Sequence, residues 1–222
     1  ENISFYIHIP FCTKLCYFCG CNSHLTRDKN KIHNYIDAVS KEILKVKKLL
    51  DPSRKISQVH WGGGTPNSIP AEMIIGIMEL IKDNFTYIPQ PEIAIECHPA
   101  LLNESYIDKL ITAGFNRFSL GIQDFRKDVL DNVNRDSPKI PVEDLVSIIK
   151  SYHGTGINLD FIYGLPLQTP ETFSETIERA LLISPDRLVT FSYAHVPWIK
   201  KAQKILESGG LPGAKEKLEM FK

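Results

Sequence analysis

The segment Ile3-Ser4-Phe5-Tyr6-Ile7-His8-Ile9-Pro10-Phe11-Cys12-Thr13-Lys14-Leu15-Cys16-Tyr17-Phe18-Cys19 runs a short apolar strand directly into three cysteines spaced Cys-x3-Cys-x2-Cys. Tyr6 and His8 alternate with apolar neighbours, the period of a strand, and Pro10 stops it. The spacing puts Cys12, Cys16 and Cys19 on one tight loop, close enough to share an inorganic cluster. Three thiolates are one too few to close a four-iron cluster. One iron then keeps an open position at which a small molecule can bind and be reduced.

Two other assignments compete. A disulfide framework belongs to short secreted chains with paired cysteines, whereas this chain has 222 residues and five cysteines. Zinc suits Cys-x2-Cys and Cys-x-Cys pairs, and Cys21 would supply a fourth thiolate. Structural zinc usually draws on two separated pairs, and downstream only the adjacent Cys97-His98 occurs, with no second pair at the Cys-x2-Cys or Cys-x-Cys spacing. The balance favours iron and sulfur.

Outward from this loop, strand and helix patterns alternate, as in a parallel sheet with crossover helices. Strands are expected at 4–9, 58–61, 92–97, 117–121, 158–163 and 187–192. Helical patterns fill 31–50, 71–84, 101–113, 141–152 and 170–183, with Gly114 as a C-terminal cap and prolines at or near three helix starts. Such an α/β chain is a doubly wound sheet or part of a barrel, and either places functional groups at the strand C-termini. The unusual residues do cluster there. They are Tyr6 and His8, then Gly62-Gly63-Gly64-Thr65-Pro66, Glu96-Cys97-His98, Gln123-Asp124, Asp160 with Tyr163, and Tyr193-Ala194-His195.

Composition excludes several classes. Lys plus Arg equals Asp plus Glu at 26 each, so no net field draws the chain to nucleic acid or an anionic membrane. No apolar stretch is long enough to span a bilayer, and no secretory leader pattern opens the sequence. Free cysteines fit a reducing cytoplasm. The chain begins at Glu1 and ends at Phe221-Lys222 within a helical pattern, so a fragment of a longer protein is expected. The Gly62–Gly64 run lets backbone approach a ligand closely, but no Lys-Ser/Thr follows as in a phosphate loop. Asp160, in the apolar stretch Asn158-Leu159-Asp160-Phe161-Ile162, needs a partner.

The cysteine loop resembles that of radical S-adenosylmethionine (SAM) enzymes. The longer strings Tyr6–Cys12 and Cys16-Tyr17-Phe18-Cys19-Gly20-Cys21-Asn22 resemble the oxygen-independent coproporphyrinogen III oxidase family. So do His60-Trp61-Gly62-Gly63-Gly64-Thr65-Pro66, Gly114–Arg117, Gly121–Phe125, Ile162–Pro166 and Tyr193-Ala194-His195. The resemblance implies a partial (β/α)6 TIM-like barrel over residues 1–222. It also implies an N-terminal segment and a C-terminal, substrate-covering domain outside this sequence. Cys12, Cys16 and Cys19 would hold a [4Fe–4S] cluster, with Cys21 not a ligand, and two SAM molecules would bind. Tyr6, Gly63 and Glu96 would contact the SAM on the cluster; Phe18, Gly64, Thr65, Gln123, Arg135, Asp160 and Ala194 would line the second.

Tyr6 and His8 would serve catalysis, His8 as a proton or substrate contact. The implied chemistry cleaves SAM reductively and abstracts hydrogen from a propionate β-carbon. Two propionates of coproporphyrinogen III become the vinyl groups of protoporphyrinogen IX, as in haem biosynthesis. A flavodoxin or ferredoxin would supply electrons to a cytoplasmic monomer. Two relatives remain as alternatives: a haem-binding chaperone on the same fold, which lacks the cysteine at position 21, and a radical SAM enzyme with another substrate. The family usually has aspartate where His98 stands, and Cys97 reads as a buried structural thiol.

Overall fold

Each strand that the alternation predicts forms and pairs in parallel with the next. The computed structural model describes all of residues 1–222. The main sheet contains β1 (Ile3–Ile9), β4 (Ile56–Gly63), β5 (Tyr87–Cys97), β6 (Arg117–Gln123), β7 (Gly156–Tyr163) and β8 (Arg187–Ser192). A two-stranded ribbon, β2 (Phe11–Cys12) and β3 (His24–Leu25), lies between the first two of these. Spatial order in the main sheet is β1-β4-β5-β6-β7-β8, the order of the chain itself. A doubly wound sheet reverses its strand order at a switch point. With no reversal, the sheet is the wall of a partial (β/α)6 barrel, and β1 and β8 are left unpaired across a seam.

The two faces of this wall differ sharply. On the outer face Ile7, Val59, Trp61, Ile95, Phe118, Leu120, Leu159 and Phe161 are buried in one core with residues of the surrounding helices. These helices are α1 (Lys29–Leu49), α2 (Ala71–Asn84), α3 (Glu104–Thr112), α4 (Lys127–Asn132), α5 (Val142–Lys150), α6 (Pro170–Ile183) and α7 (Ala214–Phe221). The inner face, one residue out of phase along each strand, is polar: Gln58, His60, Glu92, Glu96, Arg117, Ser119, Asn158 and Asp160. Glu92 accepts from Gln58 Nε2 at 2.9 Å and from Arg117 Nε at 2.8 Å, closing the lower end. Full barrels fill this space with apolar layers. Here polar pairs floor an open cleft above them.

Boundaries shift for local reasons. β5 begins at Tyr87 rather than Glu92, because Pro89 and Pro91 fall in a register shift between the pairs Ile56–Tyr87 and Gln58–Glu92. The expected helix over 101–113 starts only at Glu104: Pro99–Leu101 is a 3-10 turn, and Asn103 caps α3 by accepting from Tyr106 N–H. Asp28 likewise starts α1 two residues early. Pro141 precedes α5 and the helix ends at Lys150. The helical pattern expected at the end of the sequence is α7, whereas two helical pieces carry no advance signal: α4 and the 3-10 segment Lys201–Gly209. Each is too short for a helical period to emerge. No helix is long and apolar enough to cross a membrane.

Candidate active site

After β1 the chain turns at Pro10 and the β2–β3 ribbon pins both ends of the cysteine loop. All five cysteines are free. Cys12 Sγ lies 3.3 Å from Thr65 Oγ1, Cys16 Sγ accepts from Arg135 Nη1 at 3.4 Å, and Cys19 Sγ accepts the Cys21 N–H at 3.4 Å. The stretch after α4 holds the loop from one side. Tyr17 N–H donates to Val133 O at 3.0 Å, Asn134 Nδ2 to Leu15 O at 2.8 Å, and Lys14 pairs with Asp136 at 2.7 Å. Asn134 reaches Leu15 from a left-handed backbone, φ +57°, which asparagine tolerates better than most residues. Burial raises the Cys16 thiol despite Arg135, whereas the Cys19 thiol is lowered to about 6 by its hydrogen bond from Cys21.

The turn after β4 is packed so closely that side chains are excluded. A Cβ on Gly62 would lie 2.9 Å from both Glu96 Oε1 and Tyr6 Cε2, and one on Gly64 would lie 3.0 Å from Cys12 Sγ. Asn67, buried behind this turn, donates to His98 O at 3.0 Å and accepts His98 N–H at 2.8 Å, so the ends of β4 and β5 are clamped together. Asn67→Ala is expected to cost about 2 kcal/mol, because it leaves that buried backbone pair unmatched. A fall in the urea midpoint at unchanged m-value would register it.

Carboxylates and one unpaired amide complete the walls. Glu96 bonds His60 Nε2 at 3.0 Å and lies 3.4 Å from Gly63 N; the carboxylate pushes the His60 pKa upward. Tyr6 stacks on His60 at 5.8 Å and its hydroxyl lies 3.1 Å from His8 Nδ1. His8 Nε2 faces Asn22 O at 3.0 Å. A carbonyl can only accept, so in the neutral ring Nε2 carries the proton and Nδ1 accepts from Tyr6. Asp160 accepts from Ser119 Oγ at 2.7 Å and Asn158 Nδ2 at 2.6 Å, and burial raises its pKa. Gln123, at φ +71°, has a buried Oε1 with no partner. His98 is held near pKa 3 by burial, and its Nδ1 accepts Ala100 N–H.

These groups surround one open cleft. Its lining includes Cys12, Cys16, Cys19, Phe18, Gly63, Gly64, Thr65, Glu96, Gln123, Arg135 and Asp160. Tyr6 and His8 stand beside it on β1, with Tyr6 59% exposed, and line a second hollow toward α1. Ala194 lies just past β8, outside the lining. Arg135 alone reads from sequence as a surface residue, yet it is 8% exposed and also donates to Gly121 O. Ser119, Asn158 and Asn67 had no sequence signal beyond their neighbours, since each acts by bonding a group distant in the chain. No three His, Cys, Asp or Glu side chains converge on a single ion. Cys12, Cys16 and Cys19 instead line the cleft, each beside a different neighbour.

Residues 6–180 match the model of the radical SAM superfamily. An oxygen-independent coproporphyrinogen III oxidase of Synechocystis is 42% identical over 99% of this chain and 47% of its own length. Its counterpart in Escherichia coli K12 is 42% identical over 99% and 48%. The chain therefore spans about half the length of these relatives. Among solved structures, the coproporphyrinogen III oxidase of Escherichia coli, a radical SAM enzyme, superposes with a TM-score of 0.94 at 42% identity. It covers 99% of this chain and 50% of its own. The radical SAM methyltransferase TsrM of Kitasatospora setae, solved with cobalamin and a [4Fe–4S] cluster, reaches 0.60 at 16% identity over 86% and 34%, a likeness of fold alone.

Proposed function

The chain belongs to the radical SAM superfamily, and from that membership we propose that it forms the core of an oxygen-independent coproporphyrinogen III oxidase. The carrying observation is the single cleft in which three free thiols, a glycine turn, Glu96, Asp160 and the unpaired Gln123 carbonyl meet. Identity of 42% over 99% of this chain, aligned to about half of each such oxidase, supports the same substrate.

The residues fit a [4Fe–4S] cluster with SAM. Three free thiols on one short loop lining one cleft suit a cluster with one iron left open. Cys12, Cys16 and Cys19 hold it. When bound, the cluster and SAM supply the electron and the hydrogen-abstracting radical. Gly62, Gly63 and Gly64 admit backbone close to the ligand, and the anionic Glu96 complements an ammonium group. Arg135 complements a carboxylate, and with Phe18, Gly64, Thr65, Gln123, Asp160 and Ala194 it lines a second SAM. Tyr6 lies against the first, and His8 Nδ1 can receive the proton of the Tyr6 hydroxyl.

The overall conversion removes from each of two propionates a β-hydrogen atom, which the SAM-derived radical would take up, then carbon dioxide and one electron, which would pass to a one-electron acceptor, leaving vinyl groups. A small electron-transfer protein, flavodoxin or ferredoxin, supplies reduction to a cytoplasmic monomer. The test uses the full-length protein, reconstituted anaerobically and given reductant, SAM and coproporphyrinogen III. Vinyl product with 5′-deoxyadenosine is expected. Tight haem binding without decarboxylation would assign the chain to the chaperone relatives instead. SAM cleavage without a porphyrin product would point to another substrate.

A further inference from the structure

Gln203 is 1% exposed and lies in the 3-10 segment that follows β8, far in sequence from the cysteine loop. Its Nε2 donates to Phe18 O at 3.0 Å and to Ala194 O at 3.2 Å, while its Oε1 accepts Val196 N–H at 2.6 Å. One amide thus joins the loop after β1 to the segment after β8, across the seam where the sheet itself has no hydrogen bonds. Lys200 Nζ adds a second tie to Cys21 O at 2.8 Å. Leu206, buried with Val129, Val133, Leu165 and Tyr193, anchors the segment from beneath.

We infer that Gln203 is a positioning residue that closes the seam at the site end and fixes the separation of Phe18 and Ala194, the two flanks of the outer cleft wall. Only an amide of this length serves the three partners: two hydrogens on one nitrogen for two carbonyls, and an oxygen for one N–H. Glutamate keeps the acceptor but sets a carboxylate against two carbonyl oxygens. Methionine keeps the length and loses every bond. Binding through this wall rests on the reading that Phe18 and Ala194 line a second SAM, whereas the latch itself rests on the hydrogen bonds alone.

The experiment compares wild type, Gln203→Glu and Gln203→Met as full-length protein, reconstituted anaerobically without reductant. SAM is titrated by calorimetry, iron is counted, and amide exchange is followed over residues 14–22 and 190–198. The expected result is a second SAM equivalent weakened by about tenfold or more, as two hydrogen bonds are lost, with the first equivalent and iron content unchanged. Exchange should quicken in both segments of both variants. Should wild type take one equivalent only, the two-SAM reading fails and exchange alone judges the latch. The inference is overturned by unchanged exchange in either segment, by an unchanged second affinity where two equivalents bind, or by joint loss of both equivalents and iron. The uncharged methionine variant guards against misfolding from a buried charge.

Discussion

Replacing Cys12, Cys16 or Cys19 singly by alanine should drop the anaerobically reconstituted protein from about four irons per chain to near none. Cys21→Ala should load fully. The three thiols line one cleft, and each is supported by a different neighbour: Thr65 for Cys12, Arg135 for Cys16, and the Cys21 N–H for Cys19. A cluster that already leaves one iron without a protein ligand has no spare thiolate to substitute for a lost one. Cys21 lowers the Cys19 thiol pKa chiefly through its own thiol, which alanine removes, and also through its backbone N–H, which alanine retains as a donor to the Cys19 sulfur. Iron and sulfide analysis, with the visible band bleached by dithionite, reads the outcome. Equal loss in Cys21→Ala would mean that four thiolates hold the metal and that no iron is open.

Gly63→Ala should lose the site and much of the stability together. Gly63 has φ +122°, and a Cβ there would lie 2.8 Å from Ile9 O and 2.9 Å from two atoms of the His8 ring. The ring could swing away, but Ile9 O is backbone, already accepting Gly64 N–H at 2.8 Å. Backbone strain of about 1–3 kcal/mol adds to overpacking of about 1–3 kcal/mol. Denaturant titration should therefore show a loss of about 2–6 kcal/mol. Relief requires the turn to move off β1, carrying Gly64 and Thr65 away from Cys12, so iron loading should fall as well. Gly76→Ala is the matched control: within α2 nothing lies within 4 Å of its Cβ, and the change should stabilise by about 0.5–1 kcal/mol. A Gly63→Ala protein as stable as wild type would remove the steric account of the triple glycine.

The strands are legible because each carries a compact apolar signal of its own, and most of the cleft lining because it sits where those signals stop. Two helix boundaries that differ from the sequence reading trace to single polar residues: Asn103 takes up the Tyr106 N–H and delays α3, and Asp28 advances α1. Arg135 was legible through family resemblance alone. Its burial comes from Cys16 and Gly121, groups that only folding brings near. Gln203 left no trace at all, since a glutamine in a short polar segment has the local signature of any surface residue.

By itself the sequence determined the cysteine spacing, the glycine turn and the succession of strands and helices, because residue spacing, side-chain absence and period are local properties. Tertiary structure decided between a doubly wound sheet and a partial barrel, since strand order depends on which edges pair and not on what each strand contains. It also decided that the concave face is polar from Gln58 to Asp160, and that a buried amide spans the one seam left open. Hydrogen bonds between residues far apart in the chain made those choices, and their partners can be named only once the chain is folded.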